Sequence, residues 1–345
     1  MNLQTVNGAI SSEKIGITLP HEHVGFDLTC WWQKPGDKRF TEITSAPVDM
    51  SILGLVKRGS NFSKDNLRFF DFRVFSREVK DFKEAGGATI VDVNVDGIGR
   101  NPHALRRVSE ATGVNIIAAT GFYVQLSHPP RVAKSSVDAL AQEMIKDITE
   151  GIRNTGIRAG IIGEIGVSPG VIRPNEGKVL QAAAKANFET GTRITVHTWA
   201  DPPTRRQPLR AMDVLERCDV NLNQVFMSHM DWTKDWDYVS KVIDRGAYVA
   251  FDGFGIEWPH GFDSTGLVAP TDYERALGVL ELIKRGYLER IMLSHDVCHK
   301  IHLKKYGGHG FSHLLQNVIP ILKTVGVTES QIGTMMVDNP RRFFT

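Results

Sequence analysis

RAGIIGEIGVSPG, Arg158 to Gly170, decides the fold, because it has the composition of a buried strand and yet carries a carboxylate, Glu164, in its middle. The residues around Glu164 are apolar or glycine, which is typical of a strand covered on both faces. A charge buried without a partner costs several kcal/mol, so such a carboxylate is paired or binds a metal ion. The partners of Glu164 must come from elsewhere in the chain.

Seven other short apolar runs resemble this one, and amphipathic segments separate most of them. The eight runs are GITLPH (16–21), ATIVDVNV (88–95), NIIAATGF (115–122), AGIIGEIGV (159–167), RITVHT (193–198), NQVFMSHM (223–230), AYVAFDGF (247–254) and IMLSHDV (291–297). Residues 175–191 and 271–286 have apolar side chains at helical spacing, and each segment ends in glycine. Eight strands alternating with helices predict an α/β fold, the (β/α)8 TIM barrel, with a doubly wound open sheet as the alternative.

The 345 residues contain no linker or low-complexity segment, so the chain is predicted to form one barrel domain over residues 1–345. Asn7-Gly8 is a strong turn signal and predicts a short N-terminal hairpin within residues 1–14, which closes one end of the barrel. The loop after the first strand, residues 27–50, is long. Loops of this kind build the active face of a barrel.

Composition and charge narrow the classes of partner. The chain has 41 Lys and Arg against 39 Asp and Glu, a net charge of +2, and these charges are scattered. This pattern gives no electrostatic case for a nucleic acid or a membrane, and it leaves a small-molecule substrate or a protein partner, including a second copy in a homodimer. Three dispersed cysteines and a polar beginning without a signal sequence favour the cytoplasm.

Six side chains suited to metal binding stand at the ends of the predicted strands. They are His21, His23, Glu164, His197, His229 and Asp296. The last four are 33, 32 and 67 residues apart, which is close to one, one and two strand-helix repeats. A single strand histidine is more often a hydrogen-bonded core residue than a ligand, but six such residues at equivalent positions favour a metal centre. His295 and His299 flank Asp296 and are weaker candidates for the pocket wall.

Four imidazoles and two carboxylates are ligands for divalent first-row ions such as zinc. Six ligands exceed what one tetrahedral ion needs, so two ions with Glu164 between them fit better. A hydroxide shared by two ions would be a nucleophile at neutral pH, because coordination lowers the pKa of water toward about 7. A position between two cations would also explain why Glu164 is tolerated in an apolar strand.

The motifs TLPHEH, GFYV, AGIIGEIG, VHT, SHMD, LSHDVC, YGGHGFSHLL and DNPRRFF, spread from Thr18 to Phe344, resemble the phosphotriesterase-related branch of the amidohydrolase superfamily. The resemblance implies a (β/α)8 barrel with two divalent ions, usually zinc, with manganese or cobalt as alternatives. It assigns His21, His23 and Asp296 to the more buried ion, His197 and His229 to the more exposed one, and Glu164 to the bridge. Members that hydrolyse organophosphates or quorum lactones use a carboxylated lysine as the bridge, whereas glutamate is typical of the phosphotriesterase-related proteins, several of which resemble deacylases or lactonases.

The resulting hypothesis is a metal-dependent hydrolase of a small carboxylic ester, lactone or N-acyl amide, with ester hydrolysis or O-deacetylation slightly favoured. Asp296 is the expected general base, since it would lie against the nucleophile. Tyr123 is a candidate contact for the carbonyl or the leaving group, and Trp31 and Trp32 are candidates for the pocket wall.

Two alternatives stay open. A phosphoesterase would need basic side chains aimed at the phosphate. The candidates are Lys300, Lys304, Lys305, Arg205 and Arg206. A ligand-binding barrel that has lost catalysis is the alternative from another class, and the turnover of any substrate by the metal-loaded protein would exclude it.

Overall fold

The structure, a computed structural model, describes residues 2–199, 207–257 and 269–345. Within these ranges the β-strands are β1 (Asn2–Thr5), β2 (Gly8–Ser11), β3 (Thr18–Glu22), β4 (Phe26–Asp27), β5 (Arg68–Phe69), β6 (Thr89–Asp92), β7 (Asn115–Thr120), β8 (Ile161–Gly166), β9 (Ile194–His197), β10 (Val225–Met227), β11 (Tyr248–Phe251) and β12 (Ile291–Leu293). None of the helices in these ranges combines the length and the apolar character that crossing a membrane requires.

Strands β3 and β6 to β12 form one parallel sheet in chain order, and each of the eight predicted runs supplies one of these strands. The sheet curves until β12 meets β3. This last seam is joined largely through side chains: Ser294 Oγ accepts the His21 N–H at 3.2 Å and lies 2.8 Å from Glu22 Oε1, and the Asp296 N–H donates to the His21 carbonyl at 3.3 Å. The predicted (β/α)8 barrel is confirmed.

Helices follow the barrel strands and cover the outside of the sheet. The α-helices of the described ranges are α1 (Leu53–Arg58), α2 (Lys64–Leu67), α3 (Phe72–Glu84), α4 (Pro102–Thr112), α5 (Pro130–Lys134), α6 (Val137–Thr149), α7 (Pro174–Thr190), α8 (Gln207–Glu216), α9 (Trp236–Asp244), α10 (Asp272–Lys284), α11 (Ile319–Thr324), α12 (Glu329–Gly333) and α13 (Asn339–Phe344). Both helices singled out in the sequence are present. Gly191, whose φ of 70° suits glycine, caps the C-terminal end of α7, and α10 begins with a capping box between Thr271 and Glu274.

The apolar core has two layers because successive strand residues face opposite sides of the sheet. Side chains such as Ile90, Ile116 and Val249 pack outward against the helices, whereas their neighbours Val91 and Ile117 fill the barrel interior. At the barrel strands this interior layer includes Ile117, Ile161 and Phe226, and it continues past the strand ends at Val95 and Tyr123.

The predicted N-terminal hairpin is confirmed, with its turn one residue earlier than expected. Thr5 pairs with Gly8, so Val6 and Asn7 form the two-residue loop, and Gly8 takes the positive φ of 112°. The Val6 N–H donates to the Ile116 carbonyl, and Leu3 packs with the interior layer. The hairpin thus covers the end of the barrel where the strands begin.

Candidate metal centre

Glu164 faces the barrel centre because β8 is irregular just before it. Ile162 pairs with Ile194 and Ile165 with Val196, so β8 has one extra residue, a β-bulge. Gly163 sits in this bulge at φ 102°, and a Cβ atom there would lie 2.1 Å from the Thr195 carbonyl oxygen. Only glycine fits at this position, and its backbone reverses the alternation of the strand so that Glu164 points inward.

His21 and His23 point to one side of their strand and Glu22, between them, to the other, as alternation along a strand requires, and β3 also has an irregularity. The register between β3 and β6 shifts between Leu19 and Glu22. His21 and His23 point to the centre, whereas Glu22 is directed to the loop after β12, where it accepts hydrogen bonds from the His295 and Val297 backbone N–H groups, both at 2.9 Å.

All six predicted ligand side chains lie around one point at the ends of the strands. Glu164 Oε1 is 3.5 Å from His23 Nε2, and Glu164 Oε2 is 3.6 Å from His21 Nε2 and 3.1 Å from His197 Nδ1. Asp296 Oδ1 is 3.2 Å from His23 Nε2 and 3.8 Å from His21 Nε2. His229 Nε2 is 2.7 Å from His197 Nδ1.

The contacts of these side chains within the described residues fit a cation. His21 Nε2, Glu164 Oε2 and Asp296 Oδ1 are buried, and no hydrogen-bond partner within residues 2–199, 207–257 and 269–345 satisfies them. Buried polar atoms are nearly always satisfied, so three such atoms facing each other need an explanation. Two overlapping sets of donor atoms have the spacing of a metal site, one from His21, His23 and Asp296 and the other from His21, Glu164 and His229.

Two of the six residues adopt a backbone conformation that is unusual for side chains with a Cβ atom. His229 has φ 62° and Asp296 has φ 54°. The left-handed region costs about 1–2 kcal/mol for most residues, and aspartate tolerates it better than histidine. The surroundings hold His229 there, since its backbone N–H donates to both carboxylate oxygens of Asp252 at 3.1 Å.

A set of polar residues orients the imidazoles. Asp252, after β11, accepts the His229 Nδ1–H at 2.9 Å, and Asn94, after β6, accepts the His23 Nδ1–H at 2.8 Å. Ser228 Oγ lies 2.9 Å from His21 Nδ1. These contacts leave the Nε2 lone pairs of His21, His23 and His229 directed at the centre, as is usual for metal-binding histidines. Asp252 and Asn94 were missed in the sequence, although both lie near the ends of predicted strand runs, 247–254 and 88–95, and so satisfied the same strand-end rule.

The charges of the centre favour a cation. Burial raises the pKa of Glu164 to about 8. Burial lowers the pKa of His229, but the carboxylates of Asp252, Asp296 and Glu164 together outweigh it and raise that pKa to about 10. Burial likewise lowers the pKa of His23, and Asp296, Glu164 and Asn94 together raise it to about 9. The carboxylates therefore stabilise positive charge on their neighbours, and a divalent ion would supply that charge and displace the protons.

Of the three predicted pocket residues, the structure brings two to this centre. The Tyr123 hydroxyl lies 3.1 Å from His197 Nε2, and it accepts the Trp31 indole N–H at 3.2 Å. Trp32 points away, because its indole N–H donates to the Phe62 carbonyl and its ring packs against Lys64. Trp199, which the sequence did not single out, stands 5.8 Å from the His197 ring and 6.0 Å from that of Trp31.

The described basic candidates for a phosphate site are engaged elsewhere. Lys300 Nζ donates to Asp65 at 2.7 Å, and Lys304 Nζ lies 3.3 Å from Asp81. Lys305 Nζ lies over the Tyr306 ring, 5.6 Å from its centroid. Arg205 and Arg206 fall outside the described residues. None of the three lysines is thus paired with a group of the centre.

Comparison with known proteins agrees with this arrangement. The family model described as "Phosphotriesterase family" matches residues 1–344. The chain is 33% identical to the N-acetyltaurine hydrolase of Danio rerio over 347 residues, which cover 99% of this chain and 97% of that protein. It is 34% identical to a phosphotriesterase-related protein of Nematostella vectensis, with 99% and 98% covered.

A solved structure is similar over the same length. The crystal structure of a resiniferatoxin-binding protein from Rhodobacter sphaeroides has a TM-score of 0.95 and 36% sequence identity, covering 99% of this chain and 94% of that one. The barrel, the cluster of histidines and carboxylates and these likenesses lead to one conclusion: the chain belongs to the phosphotriesterase family and is a hydrolase of small-molecule amides or esters.

Proposed function

We propose that this chain, acting as one domain over its 345 residues, hydrolyses the amide bond of a small N-acylated amine with two divalent ions, most simply zinc. His21, His23 and Asp296 would hold one ion and His197 and His229 the other. Glu164 would bridge them.

One observation carries the two-ion proposal: the two oxygens of Glu164 face proposed ligands of different ions. Oε1 lies 3.5 Å from His23, of the first ion, and Oε2 lies 3.1 Å from His197, of the second, while it also lies 3.6 Å from His21. A carboxylate at the edge of a single site would turn both oxygens to one ion or leave one in solvent. A buried carboxylate that presents an oxygen to each side suits a bridge, and nitrogen and oxygen donors of this kind suit zinc, manganese or cobalt.

Two ions held there would polarise the acyl carbonyl and lower the pKa of bound water. Asp296 is the residue that would take the proton from the attacking water and pass it to the leaving nitrogen, since its Oδ1 faces the centre, 3.2 Å from His23 Nε2, and its side chain is 15% exposed. Burial raises the pKa of Tyr123 well above its ordinary value, so its hydroxyl keeps its proton and can donate a hydrogen bond to the carbonyl oxygen of the substrate. Trp31, which donates to that hydroxyl, would orient it.

The choice of an amide rests on the relatives. The sequence slightly favoured an ester, and both bonds suit the same ligands and the same base. Relatives that are 33% identical and whose alignments cover 99% of this chain are named N-acetyltaurine hydrolase, and that activity breaks an amide. We therefore propose the N-acyl amide as the first substrate class, and the ester and the lactone as alternatives to be tested in the same assay.

A matched pair of substrates tests this choice. N-acetyltaurine and acetyl isethionate share the acetyl and sulfonate groups and differ only in the amide nitrogen or ester oxygen. After correction for the spontaneous hydrolysis of the ester, we expect the zinc-loaded protein to accelerate amide cleavage more strongly than ester cleavage, and chelator-treated protein to be inactive. A larger acceleration of the ester, of a lactone or of a phosphotriester in the same assay would reassign the substrate class.

The carboxylate of Glu22 is predicted to hold Asp296 in position. It is fully buried, and its Oε1 accepts from the His295 N–H and the His295 ring while Oε2 accepts from the Val297 N–H, so one carboxylate holds the loop on both sides of Asp296. Glu22→Gln keeps the shape but replaces one acceptor oxygen with an NH2 group. We expect kcat to fall about 10–100-fold with KM nearly unchanged and with both ions retained, as for other residues that orient ligands.

The measurements for Glu22→Gln are kcat, KM and metal content at a temperature where the variant is folded. Glu84→Gln, an exposed position at the end of α3, is the matched control and should leave all three unchanged. A Glu22→Gln enzyme with unaltered kcat would show that the orientation of Asp296 does not depend on Glu22.

A further inference from the structure

A second group of metal-binding side chains follows Asp296 in the loop after β12. Cys298 Sγ lies 3.3 Å from His299 Nδ1, and the rings of His299 and His302 are 4.9 Å apart. One donor atom from each of the three residues lies within 4.8 Å of the other two. Cys298 and His302 are 7% and 1% exposed. None of the three belongs to the six ligands proposed above.

The local backbone explains how the three side chains meet. Lys300 to His302 form a turn of 3-10 helix, and the His302 N–H donates to the His299 carbonyl at 3.0 Å. Residues three apart lie on one side of such a turn, which brings the two imidazoles together. Lys300, between them, points elsewhere, since its ammonium group contacts Asp65 at 2.7 Å and the Tyr306 ring at 4.6 Å. No ammonium group of this turn therefore competes with a cation at the cluster.

We propose that Cys298, His299 and His302 bind a third divalent ion, zinc, leaving its fourth position to a water molecule or another ligand. One thiolate and two imidazoles are a donor set that zinc takes in proteins. Around a tetrahedral zinc ion, sulfur at about 2.3 Å and nitrogen at about 2.0–2.1 Å stand about 3.5 Å from each other. The Cys298 to His299 distance is close to this value.

The donor set separates this site chemically from the pair of ions around Glu164. The pair has only nitrogen and oxygen ligands, which also suit manganese, whereas a thiolate selects zinc or cobalt over manganese. An ion here would also cross-link the loop that begins at Asp296. We therefore expect three ions for each chain loaded with zinc or cobalt and two for each chain loaded with manganese.

Cobalt spectroscopy tests the site directly. The apo-protein is reconstituted with cobalt, and its absorption and metal content are measured on the full chain. A thiolate bound to cobalt gives a charge-transfer band in the near ultraviolet that nitrogen and oxygen ligands do not give. The wild-type protein should show this band, and Cys298→Ser should lose the band together with one cobalt ion per chain. His302→Gln, which keeps the thiol, should weaken or lose both.

Cys30→Ser and Cys218→Ser are the matched controls, and both should keep the band and the third ion. The proposal is overturned if wild-type protein binds cobalt without the band, or if the band disappears in Cys30→Ser and persists in Cys298→Ser. The result is independent of the two-ion proposal, because the pair is counted by the cobalt that remains in Cys298→Ser. If Cys298→Ser fails to fold, the wild-type spectrum and the two control variants still decide the question.

Discussion

Replacing Glu164 with glutamine is expected to remove at least one divalent ion and to lower turnover by about a thousandfold or more. The amide has the shape of the carboxylate but no charge, so it is a poor bridge between two dications. Glu164 is buried, and each of its oxygens lies within 3.6 Å of a predicted ligand imidazole, so the substitution acts directly on the proposed centre. Each loss of about 1.4 kcal/mol of transition-state stabilisation lowers the rate tenfold. A loss of several kcal/mol of charge stabilisation therefore lowers turnover by about a thousandfold or more.

Metal content and turnover are measured on the same sample of Glu164→Gln after loading with zinc. Glu150→Gln makes the same change at an exposed position after α6 and should match the wild type in both measurements. A Glu164→Gln protein that holds its full complement of ions and turns over normally would remove Glu164 from the proposed bridge.

The same residue predicts indifference to carbon dioxide. A lysine bridge must first become a carbamate, so the centres that resemble this one but use lysine need carbon dioxide to assemble. Glu164 already carries two oxygens. Apo-protein reconstituted with zinc in buffer stripped of carbon dioxide should therefore regain the same activity as a sample supplemented with bicarbonate, and a strong bicarbonate requirement would contradict the glutamate bridge.

Replacing Asp296 with asparagine is expected to lower turnover by about 10²–10⁴-fold while the metal is largely retained. The other five proposed ligands stay in place, but an amide cannot take the proton from the attacking water, and the loss of a general base typically has this size. Asparagine tolerates the left-handed backbone of Asp296, with φ 54°, about as well as aspartate does. The variant should therefore fold, and a further loss of activity would indicate a weakened metal bond.

Asp219 provides a matched control for that substitution. It also adopts the left-handed conformation, with φ 61°, and it is exposed in the turn between α8 and β10. Asp219→Asn repeats the change of side chain and backbone setting at a distance from the centre, so turnover and metal content should not change. Near-normal turnover in Asp296→Asn would contradict the role of Asp296 as the base.

The sequence predicted the barrel because the strand runs are short and apolar and helix patterns separate most of them. It could not predict which way Glu164 points. Strict alternation from Ile161, an interior residue, would turn Glu164 outward, and only the bulge at Gly163 reverses it. Glycine in a strand signals a bulge or a close approach in general, but the Thr195 carbonyl that requires it is set by the neighbouring strand.

For the candidate metal centre, too, the sequence predicted which residues stand at the strand ends but not their local geometry. The rule that chemistry lies at strand ends gathered six side chains that the structure brings together, while their roles as ligands stay predictions. The rule does not say which of two adjacent tryptophans in a loop faces inward, and the structure brings Trp31 but not Trp32 to the centre. That difference depends on the tertiary packing of the first loop and the residues after it, which share a small core that includes Phe40, Val56 and Phe62.

The seam between β12 and β3 joins residues that the ribosome adds to the chain at widely separated times. His21 and Ser294, which are hydrogen-bonded across it, are 273 positions apart, so a ribosome adding about 5–20 residues per second needs roughly 14–55 s to pass from one to the other. Throughout that interval the nascent chain offers His21 and His23 without Asp296. Barrel closure and the complete set of six proposed ligands therefore arrive together, and a chain truncated before Ser294 would lack both.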